Sequence, residues 1–279
     1  MKHPVPRSFL YVPAVKPALF DKAVAGDADA IIIDLEDAVP LSQKDRARRD
    51  VGRWLDLRTP TDTEVWVRVT PEFLADDLDV AARLGVNGIM IAKCSVEILA
   101  QADLSLRELE SARELPSVGV IGLIETARSL RSIAGMAEYE RVRTFGIGEV
   151  DLLADLRITR TPGTAAVIDA LRLQVVIDCA AAGTAAPVAP TSTDFRDLEG
   201  FVATTARFVD MGFRGRTALH PSQIPIINDA LTPTREDVTH ALRLLELYEL
   251  AEGGPTVDDS GRFVDEAVVR GAREILARA

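Results

Sequence analysis

Residues 28–40 read Ala-Asp-Ala-Ile-Ile-Ile-Asp-Leu-Glu-Asp-Ala-Val-Pro. The run AIIID does not alternate with polar residues, so a strand built from it is covered on both faces, as in a parallel sheet enclosed by helices. Three acids, Asp34, Glu36 and Asp37, gather at its carboxyl end. Apolar runs of the same kind recur at 9–12, 65–69, 88–92, 118–124, 142–147, 187–190 and 215–219, of which 187–190 is the weakest. With 30–35 they make eight. Stretches of helical periodicity separate them, for example 44–55 and 198–211. Eight consecutive βα units predict a closed (β/α)₈ barrel, and 279 residues suit one such domain.

Past the eighth run, Pro233-Thr234-Arg235-Glu236-Asp237 has the form of a helix start, with Thr234 as N-cap and acids in the first turn. A helix to about residue 252, a polar Gly-containing connection over 252–262 and a last helix over 266–279 follow. This C-terminal arm, 231–279, is too small for a second domain and is assigned to the same domain as the barrel, 1–230.

The chain carries 32 basic and 43 acidic side chains, net −11, which repels a phosphate backbone and an anionic membrane surface alike. Nucleic acid and membrane are therefore excluded as expected partners. The opening MKHPVPRSFLYVP has no apolar run of signal-peptide length, and no later stretch approaches a membrane span, so a cytoplasmic protein is expected. Cys94 and Cys179 are far apart and in no CxxC or Cys/His cluster, which points to reduced thiols rather than a disulfide or a zinc site.

In a (β/α)₈ barrel the chemistry sits at the carboxyl ends of the strands. The side chains there are Asp34, Glu36 and Asp37 after the second run, Arg68 after the third, Lys93 after the fourth, Glu125 after the fifth, Asp151 after the sixth and His220 after the eighth. One such charge alone is ordinary for a solvated loop; charges from six strands on one rim are not. Glu125 and Asp151 follow neighbouring strands, and two carboxylates without nearby His or Cys suit a hard cation such as Mg²⁺. In FGIGEVD (145–151) the glycines Gly146 and Gly148 would let backbone amides approach a small anion, which makes Gly148, with Glu149 beside it, a cofactor-binding candidate. Asp155 is read as a solvated or capping residue, and His220 as structural.

RSFLYVPAVKPALFDKA (7–23), ADAIIIDLEDAVP (28–40), VWVRV (65–69), IGLIETARSL (121–130), FGIGEVDLLADL (145–156) and LHPSQIPIIN (219–228) together resemble the citrate lyase beta-subunit-like branch of the HpcH/HpaI aldolase superfamily. The resemblance covers nearly the whole chain. It implies a (β/α)₈ barrel, a homo-oligomer (trimer or hexamer), Mg²⁺ and CoA-thioester substrates. By position it makes Glu125 and Asp151 the metal ligands, Arg68 the clamp for a 2-oxo acid carboxylate, and Glu36 with Asp37 the groups that hold metal-bound waters. It places Arg7 and Lys16 near CoA. SGRFVDEAV (260–268) resembles the family's C-terminal lid, which makes Asp265 the general acid/base, reaching the site of a neighbouring subunit. Three departures bear on the acyl substrate and the CoA contacts: Ala92 where proline often precedes the lysine, Arg157 for a common glycine, and Ala189 where aspartate is frequent.

The implied reaction is cleavage of a 3-hydroxyacyl-CoA of the citryl-, malyl- or citramalyl-CoA type to an acyl-CoA and a 2-oxo acid, or the reverse condensation, or thioester hydrolysis. Two other readings stand beside it. One is a class II aldolase acting on free 2-oxo acids and aldehydes; the other is a non-catalytic CoA-binding subunit of a larger complex.

Overall fold

The computed structural model describes residues 5–279; Met1 to Pro4, where the segment read for a leader begins, lie outside the described residues. Eight parallel strands close on themselves in sequence order: β1 (Ser8–Pro13), β2 (Ala30–Asp34), β3 (Glu64–Val69), β4 (Gly88–Ile91), β5 (Gly119–Ile124), β6 (Val142–Ile147), β7 (Val188–Ala189) and β8 (Gly215–Ala218). β1 pairs with both β2 and β8, so the barrel has no open edge. The expected (β/α)₈ fold is the observed one.

Alternate residues divide each strand between two apolar environments. Phe9, Ala30, Ile32, Trp66, Met90, Ile121, Leu123 and Val188 form one buried cluster, while the intervening Ile31, Ile33, Val65, Val67 and Ile89 are also fully buried. Both faces of the sheet are therefore dry, which is why the runs do not alternate. Trp66 fits because Gly88 is its register partner on β4: a Cβ there would lie 2.2 Å from the indole ring.

β7 is shorter than the run 187–190 suggests. Pro187 and Pro190 flank it, and neither has an N–H to donate, so the ladder is confined to Val188 and Ala189. The helices carry the amphipathic patterns expected of them. Lys44–Leu57 buries Ala47, Val51 and Leu55 on one side, and Leu198–Met211 begins at Asp197, whose carboxylate accepts from Gly200 N at 2.9 Å.

The chain divides into two compact units, Met1–Asn228 and Asp229–Ala279. In the second, Thr234 caps helix Arg235–Leu250 in a reciprocal box with Asp237. Helix Glu266–Leu276 packs against it through Ala241, Leu244, Val264, Val269 and Ala272. The polar connection holds an antiparallel ribbon of β9 (Thr256–Val257) and β10 (Phe263–Val264), too short to register as periodicity. Among the described residues no helix is long and apolar enough to cross a membrane.

Candidate active site

Strand register decides which rim side chains meet. Asp34 and Arg68 are partners across β2 and β3, so the arginine reaches the carboxylate with two bonds, Nε to Oδ1 at 2.8 Å and Nη2 to Oδ2 at 2.7 Å. Asp34 also accepts from Glu36 N at 2.8 Å and Ala38 N at 3.2 Å, which winds the acidic loop back over the strand end. Arg68 Nη1 lies 2.6 Å from Glu36 Oε2 and 3.7 Å from Asp37 Oδ2, and the guanidinium rests on the Tyr11 ring at 4.9 Å. Glu36 Oε2 is buried yet accepts no hydrogen bond of proper direction, so its contact with Arg68 is coulombic only.

Ile124 and Ile147 are register partners at the ends of β5 and β6, which sets Glu125 beside Gly148. A Cβ on Gly148 would fall 2.3 Å from both Cγ and Oε1 of Glu125, so the missing side chain is what admits the carboxylate. Oε2 accepts from the backbone N–H of Lys93 at 2.6 Å. Lys93 is held left-handed at φ 45°, an unfavourable conformation for a residue with a Cβ, and the bond to Glu125 accompanies that strain. Ser129 Oγ fixes the turn by accepting from Glu125 N at 3.2 Å and Thr126 N at 2.9 Å.

Glu125, Asp151, Arg68, Asp34, Asp37 and Tyr11 line one cavity of about 690 Å³ at the carboxyl ends of the strands. Burial raises Glu125 from the ordinary carboxyl value to about 7, with the charge of Asp151 adding to it. Burial raises Glu36 to about 8 against the opposing charge of Arg68, and Glu125, Asp37 and Asp34 push the same way. Burial likewise raises the Tyr11 phenol, which stays protonated.

Glu36 carries a prediction. Its folded value, about 8, lies above the ordinary 4.5, so the folded chain holds a proton that the unfolded chain releases. That contribution is complete below pH 4.5 and is lost as pH rises through about 8. Relative to wild type, metal-free Glu36→Gln should therefore gain stability from pH 5 to pH 8, by about 1–3 kcal/mol. Urea midpoints of both proteins across that range test it; a constant difference contradicts the buried-carboxyl account.

Several expected residues have other duties. Arg7, read as a residue near CoA, precedes β1 at the amino end of the barrel and pairs there with Asp29 at 2.8 Å. Lys16 lies on the carboxyl side of β1, exposed. Gly148 N donates to Ile124 O at 3.2 Å, so its amide is not turned to an anion, and its contribution is the space it leaves. Glu149 lines the cavity but is spent on Arg172, at 2.6 and 2.8 Å, and on Arg160.

Asp155 accepts from Ala127 N at 2.7 Å, a capping role. His220 Nδ1 accepts from Ser222 N at 3.2 Å and its ring stacks on Phe195, which is structural work. Asp265 begins helix Glu266–Leu276, where Oδ1 accepts from Ala267 N at 3.0 Å and Val268 N at 3.1 Å.

The donor set fits a hard divalent cation. Among the described residues no group of three or more His, Cys, Asp or Glu converges to hold a metal, so Glu125 and Asp151 would leave most coordination positions to water and substrate oxygens. Mg²⁺ is commonly held in this way. Glu125, raised by burial and by the charge of Asp151 and seated in the space that Gly148 leaves, is part of an acidic pair that a divalent cation would neutralise.

Relatives share this framework. Citrate lyase subunit beta of Escherichia coli (strain K12) is 30% identical over 282 residues, 98% of this chain and 93% of that protein. A (3S)-malyl-CoA thioesterase of Cereibacter sphaeroides is 32% identical over 285 residues, 99% of this chain and 95% of that protein. The crystal structure of CitE from Mycobacterium tuberculosis in complex with magnesium, acetoacetate and coenzyme A superposes with a TM-score of 0.77 at 28% identity, covering 100% of this chain and 99% of that one. The model of HpcH/HpaI aldolase/citrate lyase matches residues 7–221, the span that contains every barrel strand together with Glu125 and Asp151. The chain belongs to the HpcH/HpaI aldolase/citrate lyase family.

Proposed function

We propose that the chain is a Mg²⁺-dependent carbon-carbon lyase acting on a 3-hydroxyacyl-CoA of the citryl-, malyl- or citramalyl-CoA type, in either direction, with thioester hydrolysis as a variant outcome. The observation that carries the reading is the pairing of Glu125 and Asp151 in the cavity that also holds Arg68.

Glu125 and Asp151 would hold the ion, which when bound supplies positive charge to the oxygens of the 2-oxo acid fragment. Lys93 N–H and the space at Gly148 fix the direction of the Glu125 carboxylate, and Asp34 fixes the plane of Arg68. Only three Arg68 N–H groups face Asp34 and Glu36, so two remain for a substrate carboxylate. Glu36 and Asp37 are proposed to order water around the ion. Asp265 is the proposed acid/base, supplied by a neighbouring copy in a homotrimer or hexamer. Its Oδ2 takes no hydrogen bond among the described residues, and it would move the proton at the carbon adjacent to the thioester carbonyl. Lys16 is the proposed CoA contact, the arm 231–279 is proposed to work as part of the same domain, and the cytoplasm is the proposed compartment.

The test is direct. Purified protein with Mg²⁺ is given malyl-CoA, citramalyl-CoA and citryl-CoA, and products are followed by mass before and after EDTA. Conversion of at least one thioester, abolished by EDTA and restored by Mg²⁺, is expected. Turnover of free 2-oxo acids with aldehydes, without thioester turnover, would favour the aldolase reading instead.

A further inference from the structure

Asp151 stands in the first turn of the helix Glu149–Asp155, and among the described residues its carboxylate takes no hydrogen bond or ion pair. Its direction is therefore that of the turn that carries it. The helix is only seven residues long, and its N-cap, Gly148, supplies no side-chain bond. Leu152 and Leu153 are buried on one side of it, but apolar contact has no direction and does not by itself fix how the turn is rotated. The far end is tied by Asp155, which accepts from Ala127 N at 2.7 Å. At the near end the directional side-chain tie is Glu149, which shares the face of Leu152 and Leu153 and is 8% exposed. Arg172 grips both of its oxygens, Nε to Oε2 at 2.6 Å and Nη2 to Oε1 at 2.8 Å, and Arg160 adds a bond to Oε1. Arg172 is itself held, by Asp169 at 2.9 Å and by the Phe208 ring at 4.8 Å, and Arg207 braces Asp169. Helices Ala165–Ala181 and Leu198–Met211 thus reach the turn of Asp151 through one guanidinium.

We infer that Glu149 and Arg172 are positioning residues for Asp151: their two-pronged pair sets the rotation of the first helical turn and so aims the Asp151 carboxylate at the ion. The inference rests on the proposed role of Asp151 as a metal ligand. Without the Glu149 charge, Arg172 is left buried and short of a partner, and the turn loses the contact that orients it. Lysine at position 172 keeps the positive charge but not the planar fork, so it separates direction from charge.

The experiment is titration of the full metal-free chain with Mn²⁺, which takes oxygen ligands as Mg²⁺ does and whose free ion is counted by its paramagnetic resonance. Wild type, Asp151→Asn, Glu149→Gln, Arg172→Lys and Glu110→Gln are compared. Glu110, 9% exposed, pairs with Arg141 at 2.9 Å where β5 and β6 begin, so its variant loses a buried ion pair at the opposite end of the barrel. Wild type is expected to bind Mn²⁺ and to release it to Mg²⁺, and Asp151→Asn to lose most of that affinity. Glu149→Gln should bind about 10-fold more weakly, the scale of groups that support a metal ligand, and Arg172→Lys at least about 3-fold more weakly. Glu110→Gln should keep wild-type affinity while its thermal midpoint falls. Wild-type affinity in Glu149→Gln overturns the inference, and so does wild-type affinity in Arg172→Lys, since charge alone would then account for Glu149. Equal weakening in Glu110→Gln also overturns it, as a general loosening of the fold. Should Glu149→Gln fail to fold, Arg172→Lys against Glu110→Gln decides. Absence of Mn²⁺ binding by wild type, or wild-type affinity in Asp151→Asn, instead overturns the proposed function, a result distinct from all of these.

Discussion

Glu125→Gln should lower thioester turnover by about 1,000-fold while raising the stability of the metal-free protein at pH 8. The two effects have one cause. Glutamine keeps the length of the side chain and an oxygen to accept the Lys93 N–H, now at 2.6 Å, so the turn keeps its geometry. The change removes only the charge. Burial holds the Glu125 carboxyl up to about 7, so at pH 8 the folded chain must ionise a group that it disfavours, whereas the unfolded chain ionises it freely. The amide avoids this cost, and the expected gain is about 1–3 kcal/mol. Mg²⁺ reverses the order, because an ion that binds the folded wild type stabilises it by mass action and has lost a ligand in the variant. Thermal midpoints with and without Mg²⁺, alongside product analysis, read both effects. A merely structural glutamate would show a loss of stability in either condition. Wild-type turnover in Glu125→Gln, or an equal Mg²⁺-induced rise in midpoint for both proteins, would remove the basis of the lyase reading.

The barrel was legible because its signal is repeated. Continuous runs such as AIIID recur in a βα rhythm, and a closed parallel sheet buries each of them on both faces. The exception, β7, was the weakest run for a physical reason: Pro187 and Pro190 cannot donate to a ladder. The rim was legible as chemistry but not as geometry. That Glu125 and Asp151 line one cavity follows from neighbouring strands, an inference available from order alone. That Gly148 makes room for Glu125 while its own amide is spent on Ile124 follows from register, which a single sequence does not print.

The remaining site residues escaped because they act through the backbone or through partners distant in sequence. Lys93 reads as a rim cation, yet its exposed side chain matters less to Glu125 than its N–H, which φ 45° turns toward the carboxylate. Tyr11 sits inside an apolar run and reads as core, although its ring carries Arg68. Asp34 was one acid of three until its partnership with Arg68 across the β2–β3 register set it apart as the group that orients the guanidinium. Arg7 likewise has a partner distant in sequence: it precedes a barrel strand, so it lies at the amino end, and it meets Asp29 there.

Gly148→Ala tests the same carboxylate without altering any charge. The backbone at Gly148 has φ −85° and ψ 78°, on the side of the map open to alanine, so the substitution brings no left-handed strain. Its effect is local: the new methyl would lie 2.3 Å from Cγ and Oε1 of Glu125, well inside contact distance. Glu125 is 3% exposed and its Oε2 is tied to Lys93, so the carboxylate can yield only by breaking that bond or by swinging away from Asp151. Either movement displaces the proposed metal ligand by about an ångström or more, and misplacement on that scale costs about 100-fold in rate. The expected result is turnover reduced by about 100-fold, a Mg²⁺ requirement shifted to higher concentration, and a stability loss of about 1–3 kcal/mol from overpacking. The double variant Gly148→Ala with Glu125→Gln should be little slower than Glu125→Gln alone, since the glycine acts through the carboxylate that is already disabled. Additive losses in that cycle would show that Gly148 serves the reaction by another route, and an unimpaired Gly148→Ala would show that Glu125 does not need to be held where the structure places it.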